Sequence, residues 1–234
     1  MKMFKSVSFR RILAYLIDIM LVSLISSMFA SIELLNPYLN KQQEIANEYT
    51  EKVNDFINDD SQIDINEFTN SDFMKEYTYE ISYYSIYESI ISVVFTILYF
   101  VVFQYYNNGK TVGKALFDIV VIDKDRKKAS IKQYFLRSLI IHSLLTSIIS
   151  IIGIYTLNKE SYLTLSYIIA FIEMGIMIAC IILLIFREDK RLVHDLFAGT
   201  KVISCDELDE QSKVKEAKIL TKSSRKNKKK ENNK

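Results

Sequence analysis

Four long apolar runs constrain this sequence more than any other feature. They cover roughly residues 12–32, 84–106, 136–155 and 162–186. About 20 helical residues cross the hydrocarbon core of a membrane, which is about 30 Å thick, and each run is long enough to do so. The chain has 5 Gly and 1 Pro among 234 residues, so little in it breaks long helices. The sequence therefore predicts an all-α integral membrane protein with four transmembrane helices in the lipid bilayer.

Two of these runs carry polar side chains at membrane depth. Asp18 lies within the first run, and His142 lies within the third run among several Ser and Thr residues. A charged side chain at the centre of a membrane helix costs at least about 2.5 kcal/mol on insertion scales, so such groups face protein or a water-filled cavity. We therefore expect both helices to face protein along these positions.

Lys and Arg residues cluster in two of the connections. Eight lie in residues 107–137 and 14 lie after residue 186, whereas residues 33–83 contain 3 and residues 156–161 contain 1. Basic residues concentrate on the cytoplasmic side of membrane proteins. We therefore expect a multi-pass protein of the cell membrane with both termini in the cytoplasm. Residues 33–83, which include 12 Asp and Glu, are then external.

The N-terminal segment also has the basic start and apolar core of a secretory signal peptide. Asp18 in the middle of that core, the length of the core and three further apolar runs favour an uncleaved helix. Residues 12–32 are therefore predicted to be the first transmembrane helix.

The acidic stretch at residues 33–83 contains two helical signals. Apolar residues recur there at steps of four, four and three, which is the spacing of an amphipathic helix: Ile45, Tyr49, Val53 and Phe56. Ser71 or Thr69 can then cap a second helix that continues into the second apolar run. Together these signals predict an external helical hairpin.

Two β-branched segments predict a small sheet. Residues 117–123 are rich in Val and Ile, and residues 199–203 follow the fourth run with a similar composition. A lone strand is unstable, so each segment needs the other as a partner. We expect a small cytoplasmic β-ribbon that ties the two basic connections together.

The chain divides by composition into a membrane domain and a tail. Residues 1–203 are predicted to form the membrane domain, with the external insertion at about residues 33–83, and residues 204–234 form a charged, disordered tail. Basic residues in this tail can contact anionic lipid of the inner leaflet. No aromatic residues are interleaved with them, so nucleic acid is not an expected partner.

No residue pattern in the chain supports catalysis. Residues 107–114 resemble a phosphate-binding loop only superficially, because three residues separate the two glycines and Ala115 follows the lysine. The 2 His residues are too few for a metal hydrolase, and the 2 Cys residues give no disulfide framework. We therefore expect no enzyme activity, no cofactor and no metal.

Three short motifs occur in a set order along the chain. They cover residues 11–18, residues 109–114 with 120–123, and residues 191–200. Together they resemble the RDD family of small multi-span bacterial membrane proteins, which is named for an arginine and two aspartates. The resemblance implies that Arg11, Asp18 and Asp195 are the signature residues. It also implies transport of unidentified ligands, with sodium–proton exchange attributed to some members. The stretch at residues 33–83 is longer than the resemblance implies.

Three ionisable residues within the apolar runs are candidates for binding an ion or a substrate. Asp18 lies about 9 Å inside the first helix, where it either forms a fixed ion pair with Arg11 or Arg137 or binds a cation or proton. Glu173 lies near the middle of the fourth run, which contains no basic residue, and it either shares a proton structurally or binds an ion. His142 either packs between helices or moves protons near neutral pH.

Arg11 and Asp195 are the second candidate pair. Seven residues separate Arg11 from Asp18, an offset of about 10 Å along a helix, which is long for a direct bond. We therefore expect Asp18 to meet another helix and Arg11 to bind Asp195. That second pair is either structural or a cytoplasmic gate whose opening exposes Asp18.

Two functional hypotheses follow. In the first, the protein is a proton- or sodium-coupled transporter of a small cation or solute that uses Asp18, Glu173 and His142. In the second, it is a non-transporting scaffold that binds a partner through the external hairpin. Four spans are few for a transporter, so either function implies a homo-oligomer.

Overall fold

The computed structural model describes residues 6–58, 68–69 and 71–210 of the 234-residue chain, and these are mostly helical. The helices are α1 Val7–Ala30, α2 Leu39–Asn58, α3 Asp72–Tyr84, α4 Ile86–Tyr106, α5 Val112–Leu116, α6 Ile131–Ile141, α7 Leu144–Thr156, α8 Lys159–Phe186 and α9 Val193–Ala198. The strands are β1 Ile119–Asp123 and β2 Thr200–Ser204, and residues 205–210 are again helical.

Three helices of the described chain, α1, α4 and α8, are long and apolar enough to cross a membrane. The helices α6 and α7 pass the same test as a pair, which gives four spans if the pair counts as one. This pair occupies the third predicted run, but it is not a straight helix. It bends by 66° at a break after Ile141, where Ser143 adopts a left-handed backbone with φ 51°.

The hairpin helices α2 and α3 pack antiparallel to each other through aromatic rings. The ring of Tyr49 on α2 stacks on that of Tyr77 on α3 with centroids 4.1 Å apart, and Phe56 of α2 stacks at 4.3 Å on Phe68, which precedes α3. Ser71 caps α3 by accepting a hydrogen bond from the N–H of Met74. The two helices predicted for this stretch are therefore present, but the second one does not continue unbroken into the second apolar run, because α3 ends at Tyr84 and a turn at Ser85 separates it from α4.

The strands β1 and β2 form an antiparallel pair centred on Val121 and Val202. The predicted pairing of the two segments is confirmed, although β1 begins at Ile119 rather than at residue 117. Val121 and Val202 belong to a buried apolar cluster with Ala14 of α1 and Tyr134 of α6. The ribbon is therefore part of the core that joins the ends of the membrane helices.

The hairpin and the ribbon lie at opposite ends of the helix bundle. Tyr83 of α3 contacts Tyr155 at the end of α7, whereas Arg10 at the start of α1 donates a hydrogen bond to the carbonyl of Phe117 beside β1. We call these the hairpin end and the ribbon end. Most of the predicted tail, residues 204–234, lies outside the described residues. Its described part is ordered rather than disordered, because Ser204 ends β2 and residues 205–210 are helical.

Candidate functional site

Asp18 is fully buried on α1 and is surrounded by donors from two other helices. Its Oδ1 accepts hydrogen bonds from the hydroxyl of Tyr99 at 2.7 Å and from the N–H of Gly113 at 2.8 Å. Its Oδ2 accepts one from the hydroxyl of Thr111 at 2.5 Å, and the Lys114 ammonium lies 3.6 Å away. Both carboxylate oxygens are therefore partnered, which is what a charge at this depth requires.

Gly113 explains how the chain brings these donors to Asp18. A Cβ atom at position 113 would lie 2.3 Å from the carbonyl oxygen of Ala14 and 2.9 Å from Oδ1 of Asp18. Only glycine allows α5 to lie this close to α1. The second glycine of the segment at residues 109–114 is therefore needed for packing around Asp18.

Asp195, at the start of α9, is the second fully buried carboxylate of the ribbon end. Arg11 of α1 donates to Oδ2 and Arg137 of α6 donates to Oδ1, so two helices meet on this one side chain. The N–H of Leu192 and the hydroxyl of Thr200 each donate to it at 3.2 Å. The expectation that Arg11 binds Asp195 rather than Asp18 agrees with this geometry.

The charges of these two clusters shift the pKa values of the groups around them. Burial raises the pKa of Asp195, but Arg137 and Arg11 outweigh burial and hold that pKa well below its ordinary value. Burial lowers the pKa of Lys114 to about 8, and nearby Arg137 lowers it further, while Asp18 opposes both. Burial also lowers the pKa of His194.

His142 occupies the break between α6 and α7. Its ring stacks on that of Phe100 with centroids 3.5 Å apart and lies 5.8 Å from that of Tyr15. Its Nδ1 atom is buried and has no hydrogen-bond partner among the described residues. The imidazole is thus held by ring packing while one of its nitrogens stays available.

Glu173 lies on α8 and accepts a hydrogen bond of 2.6 Å from the hydroxyl of Thr146 on α7. Within the part of the chain that the structure describes, no basic side chain forms an ion pair with it. Its contact with Thr146 joins α8 to the helix that follows the break at His142.

Two cavities extend into the bundle and share His142 and Glu173. The hairpin-side cavity has a volume of about 530 Å³ and a polar lining that includes Glu88, Ser92, Thr96, Thr146, Ser147 and Ser150. The ribbon-side cavity, of about 380 Å³, is lined by basic and apolar residues that include Arg11, Lys114, Arg137, Ile140 and Met177. His142 and Glu173 therefore form a junction between the two cavities, and we use that name for this pair.

The structure brings together only two of the three predicted ion-binding residues. His142 and Glu173 share the junction, whereas Asp18 lines neither cavity. Neither Arg11 nor Arg137, the partners considered for Asp18 from the sequence, lies within ion-pair distance of it, and both arginines bind Asp195 instead.

Several residues of these clusters were not singled out from the sequence. They are Tyr99, Thr111 and Lys114 around Asp18, and Thr146 beside Glu173. Thr111 and Lys114 lie in the segment at residues 109–114, which is part of one of the three ordered motifs, so the sequence did contain a signal for them. Tyr99 and Thr146 carry no such signal, because they are common residue types within apolar runs.

The apolar helices, the buried carboxylate of Asp18 within one of them and the basic residues that close one end define a multi-pass integral membrane protein. A family model, described as the RDD family, matches residues 6–199, and the chain therefore belongs to the RDD family. No curated protein sequence matches the chain, and neither does any solved structure.

Proposed function

We propose that this protein couples the movement of protons to the passage of a small cation or solute, with proton exchange at the junction of His142 and Glu173. The observation that carries the proposal is that both residues line both cavities. A titratable pair placed between two cavities can exchange a proton with either one.

The chemistry of the junction supports this role. Glu173 accepts a hydrogen bond from Thr146 and has no basic ion-pair partner among the described residues. His142 presents a nitrogen without a hydrogen-bond partner in the same region. Protonation at either residue therefore breaks no ion pair.

We assign Asp18 and Asp195 structural roles in this mechanism. Asp18 joins α1, α4 and α5 through its hydrogen bonds, and Asp195 joins α1, α6 and α9. If the pair formed by Arg11 and Asp195 were a gate, its opening would have to move a carboxylate that also binds Arg137, the N–H of Leu192 and the hydroxyl of Thr200. This geometry favours a fixed joint over a gate.

We also propose that the ribbon end faces the cytoplasm of the cell and that both termini lie on that side. The support is the charge of the connections, because residues 107–137 contain 8 Lys and Arg and residues 33–83 contain 3. The hairpin-side cavity then faces outward and the ribbon-side cavity faces inward.

Proton uptake by proteoliposomes tests the proposal. We expect a pH gradient to drive uptake through the wild type, and we expect Glu173→Gln to slow it at least about tenfold because the amide cannot take up a proton. His142→Phe keeps an aromatic ring against Phe100 but removes both nitrogens, and it should also slow uptake. A pH-sensitive dye inside the vesicles gives the rate.

Glu160→Gln is the matched control, because Glu160 lies on the same helix and lines neither cavity. It should leave the rate unchanged. A wild type without proton uptake, or a Glu173→Gln variant with the wild-type rate, would rule out the proposal.

The scaffold hypothesis has one structural feature in its favour. The hairpin has its own aromatic core, in which Tyr49 stacks on Tyr77, so its acidic surface is held in a fixed shape that a basic partner can bind. The same proton-uptake measurement distinguishes the two hypotheses, because a scaffold gives no proton uptake with or without Glu173.

A further inference from the structure

The ribbon-side cavity combines an apolar wall with a basic end. Its wall includes Ile12 of α1 and Met177 of α8, which are 45% and 57% exposed, so the cavity opens sideways between these two helices. In a membrane that opening faces lipid, because both residues lie within spans. An apolar chain can therefore reach the cavity from the bilayer without crossing water.

The basic end of the cavity holds more positive than negative charge. Arg11, Lys114 and Arg137 all line it, whereas two buried carboxylates, Asp18 and Asp195, are their partners. Glu173 also lines the cavity, but none of these three basic side chains lies within ion-pair distance of it. A third negative charge is therefore missing where the three cations meet.

His194 gives an independent sign of a missing ligand. The residue is 2% exposed and lines the cavity, and its Nε2 atom lies 3.8 Å from Oδ2 of Asp195 but has no hydrogen-bond partner among the described residues. A buried polar atom without a partner costs free energy, which a bound oxyanion or hydroxyl group would recover. Burial lowers the pKa of Lys114 to about 8, and the charge of nearby Arg137 lowers it further, although Asp18 opposes both.

From these contacts we infer that the ribbon-side cavity binds one anionic phospholipid, with its phosphate beside Lys114, Arg11 and His194 and an acyl chain along Ile12 and Met177. Basic pockets between transmembrane helices at the cytoplasmic side suit such head groups. A phosphate supplies the missing negative charge, and an acyl chain fills the apolar wall. A zwitterionic lipid of the same chain length would bring its own positive charge to the same place.

This inference does not require transport, because it concerns equilibrium binding. It also differs from lipid contact by the basic C-terminal tail, since the cavity residues all lie between positions 8 and 202. The test therefore has to separate binding in the cavity from attraction to the tail.

Native mass spectrometry of the full chain in detergent provides that test. Phosphatidylglycerol is titrated against phosphatidylcholine with the same acyl chains, and the number of lipids retained gives the Kd. We expect one phosphatidylglycerol to bind with at least about tenfold lower Kd than phosphatidylcholine. Lys114→Gln should remove most of this preference.

Lys114 also contacts Asp18, so its loss can disturb the fold, and a second variant avoids that contact. Met177→Trp fills the apolar part of the cavity without changing any charge, and it should raise the Kd for phosphatidylglycerol about tenfold. The matched controls are Met174→Trp on the same helix and Lys124→Gln in the exposed turn after β1, because neither position lines the cavity. Both should bind like the wild type.

Three results would overturn the inference. Equal binding of the two lipids would remove the role of charge, and wild-type binding by Met177→Trp would place the lipid elsewhere, such as on the tail. Inorganic phosphate that displaces phosphatidylglycerol with equal affinity would identify a free anion, rather than a lipid, as the occupant.

Discussion

At the scale of single residues, Asp195 shows how hydrogen bonds and ion pairs stabilise a buried charge at the ribbon end. Two arginines and two uncharged donors surround it, and they come from α1, α6 and the segments next to α9. The carboxylate is fully buried, so its attraction to the arginines is weakly screened by solvent. Removal of its charge leaves Arg11 and Arg137 buried without an anion.

We predict that Asp195→Asn lowers the free energy of unfolding by about 3 to 5 kcal/mol, the usual cost of breaking a buried ion pair from one side. Asp189→Asn is the control, because Asp189 pairs with Arg187 at a partly exposed site and its loss should cost at most about 1 kcal/mol. Thermal and denaturant unfolding in detergent micelles measures both. Equal losses in the two variants would contradict this role of Asp195.

The same carboxylate gives stability a pH dependence of known sign. The folded protein holds the pKa of Asp195 below its ordinary value, so the ionised side chain stabilises the folded state above about pH 4. That contribution is lost as the pH falls towards the folded-state pKa. The difference in unfolding free energy between wild type and Asp195→Asn should therefore shrink from about pH 7 to about pH 3. A difference that grows on acidification would contradict the prediction.

The sequence was sufficient to select the buried charged residues but not all of their partners. Asp18 stands out because a carboxylate inside an apolar run needs compensation, and the offset between Arg11 and Asp18 correctly separated these two side chains. The partners of Asp18 come from residues about 80 to 95 positions away. Helical spacing describes one helix at a time, so it cannot identify such contacts.

At the scale of helices, α4 connects the two polar sites. Residues Leu98–Phe103 form a π-helical turn within it, and two neighbours in that turn, Tyr99 and Phe100, contact Asp18 and His142 respectively. Such turns occur frequently at functional sites. A shift of this turn would move the hydroxyl that binds Asp18 together with the ring that holds His142.

The break between α6 and α7 is the second feature at this scale, and it depends on the left-handed backbone of Ser143. This conformation costs a residue with a Cβ atom about 1 to 2 kcal/mol of conformational free energy, and it costs a β-branched residue more. We predict that Ser143→Gly raises the melting temperature and that Ser143→Val lowers it. Ser161→Val, at an exposed position of α8 with ordinary helical geometry, should change it little.

Thermal unfolding of these three variants in detergent provides the comparison. If Ser143→Val is at least as stable as Ser143→Gly, then the break does not depend on this conformation, and His142 does not sit at a fixed bend.

The same break marks the limit of prediction at this scale. The apolar runs located the spans, and the two β-branched segments identified the ribbon, because composition and length decide both. The third run contains no Pro, and its one glycine, Gly153, lies ten residues beyond Ser143, so nothing in its sequence indicates a bend of 66°. Packing of the His142 ring against Phe100 belongs to the folded bundle and leaves no local pattern.

At the scale of the whole molecule, the two ends of the bundle differ in chemistry. The hairpin-side cavity is polar and is bordered by several serines, whereas the ribbon-side cavity is basic and apolar. The helix bundle is therefore chemically asymmetric from one end to the other.

The central claim is that cavities from opposite ends of the bundle meet at His142 and Glu173. Cysteine labelling tests it most directly, because native Cys180 lines only the ribbon-side cavity and Ser147 lines only the hairpin-side cavity. One variant carries Cys205→Ser, so that Cys180 is its single cysteine. The other carries Cys180→Ser, Cys205→Ser and Ser147→Cys. Each is reconstituted in phosphatidylcholine vesicles and treated from either side with a small, impermeant thiol reagent.

We predict that Cys180 reacts only from the ribbon side and that Ser147→Cys reacts only from the hairpin side. A cysteine at the lipid-facing position Ile172, placed in the background without native cysteines, should react from neither side. If Cys180 and Ser147→Cys react from the same side, or if neither reacts, then the two cavities do not open at opposite ends and the proposed path does not exist.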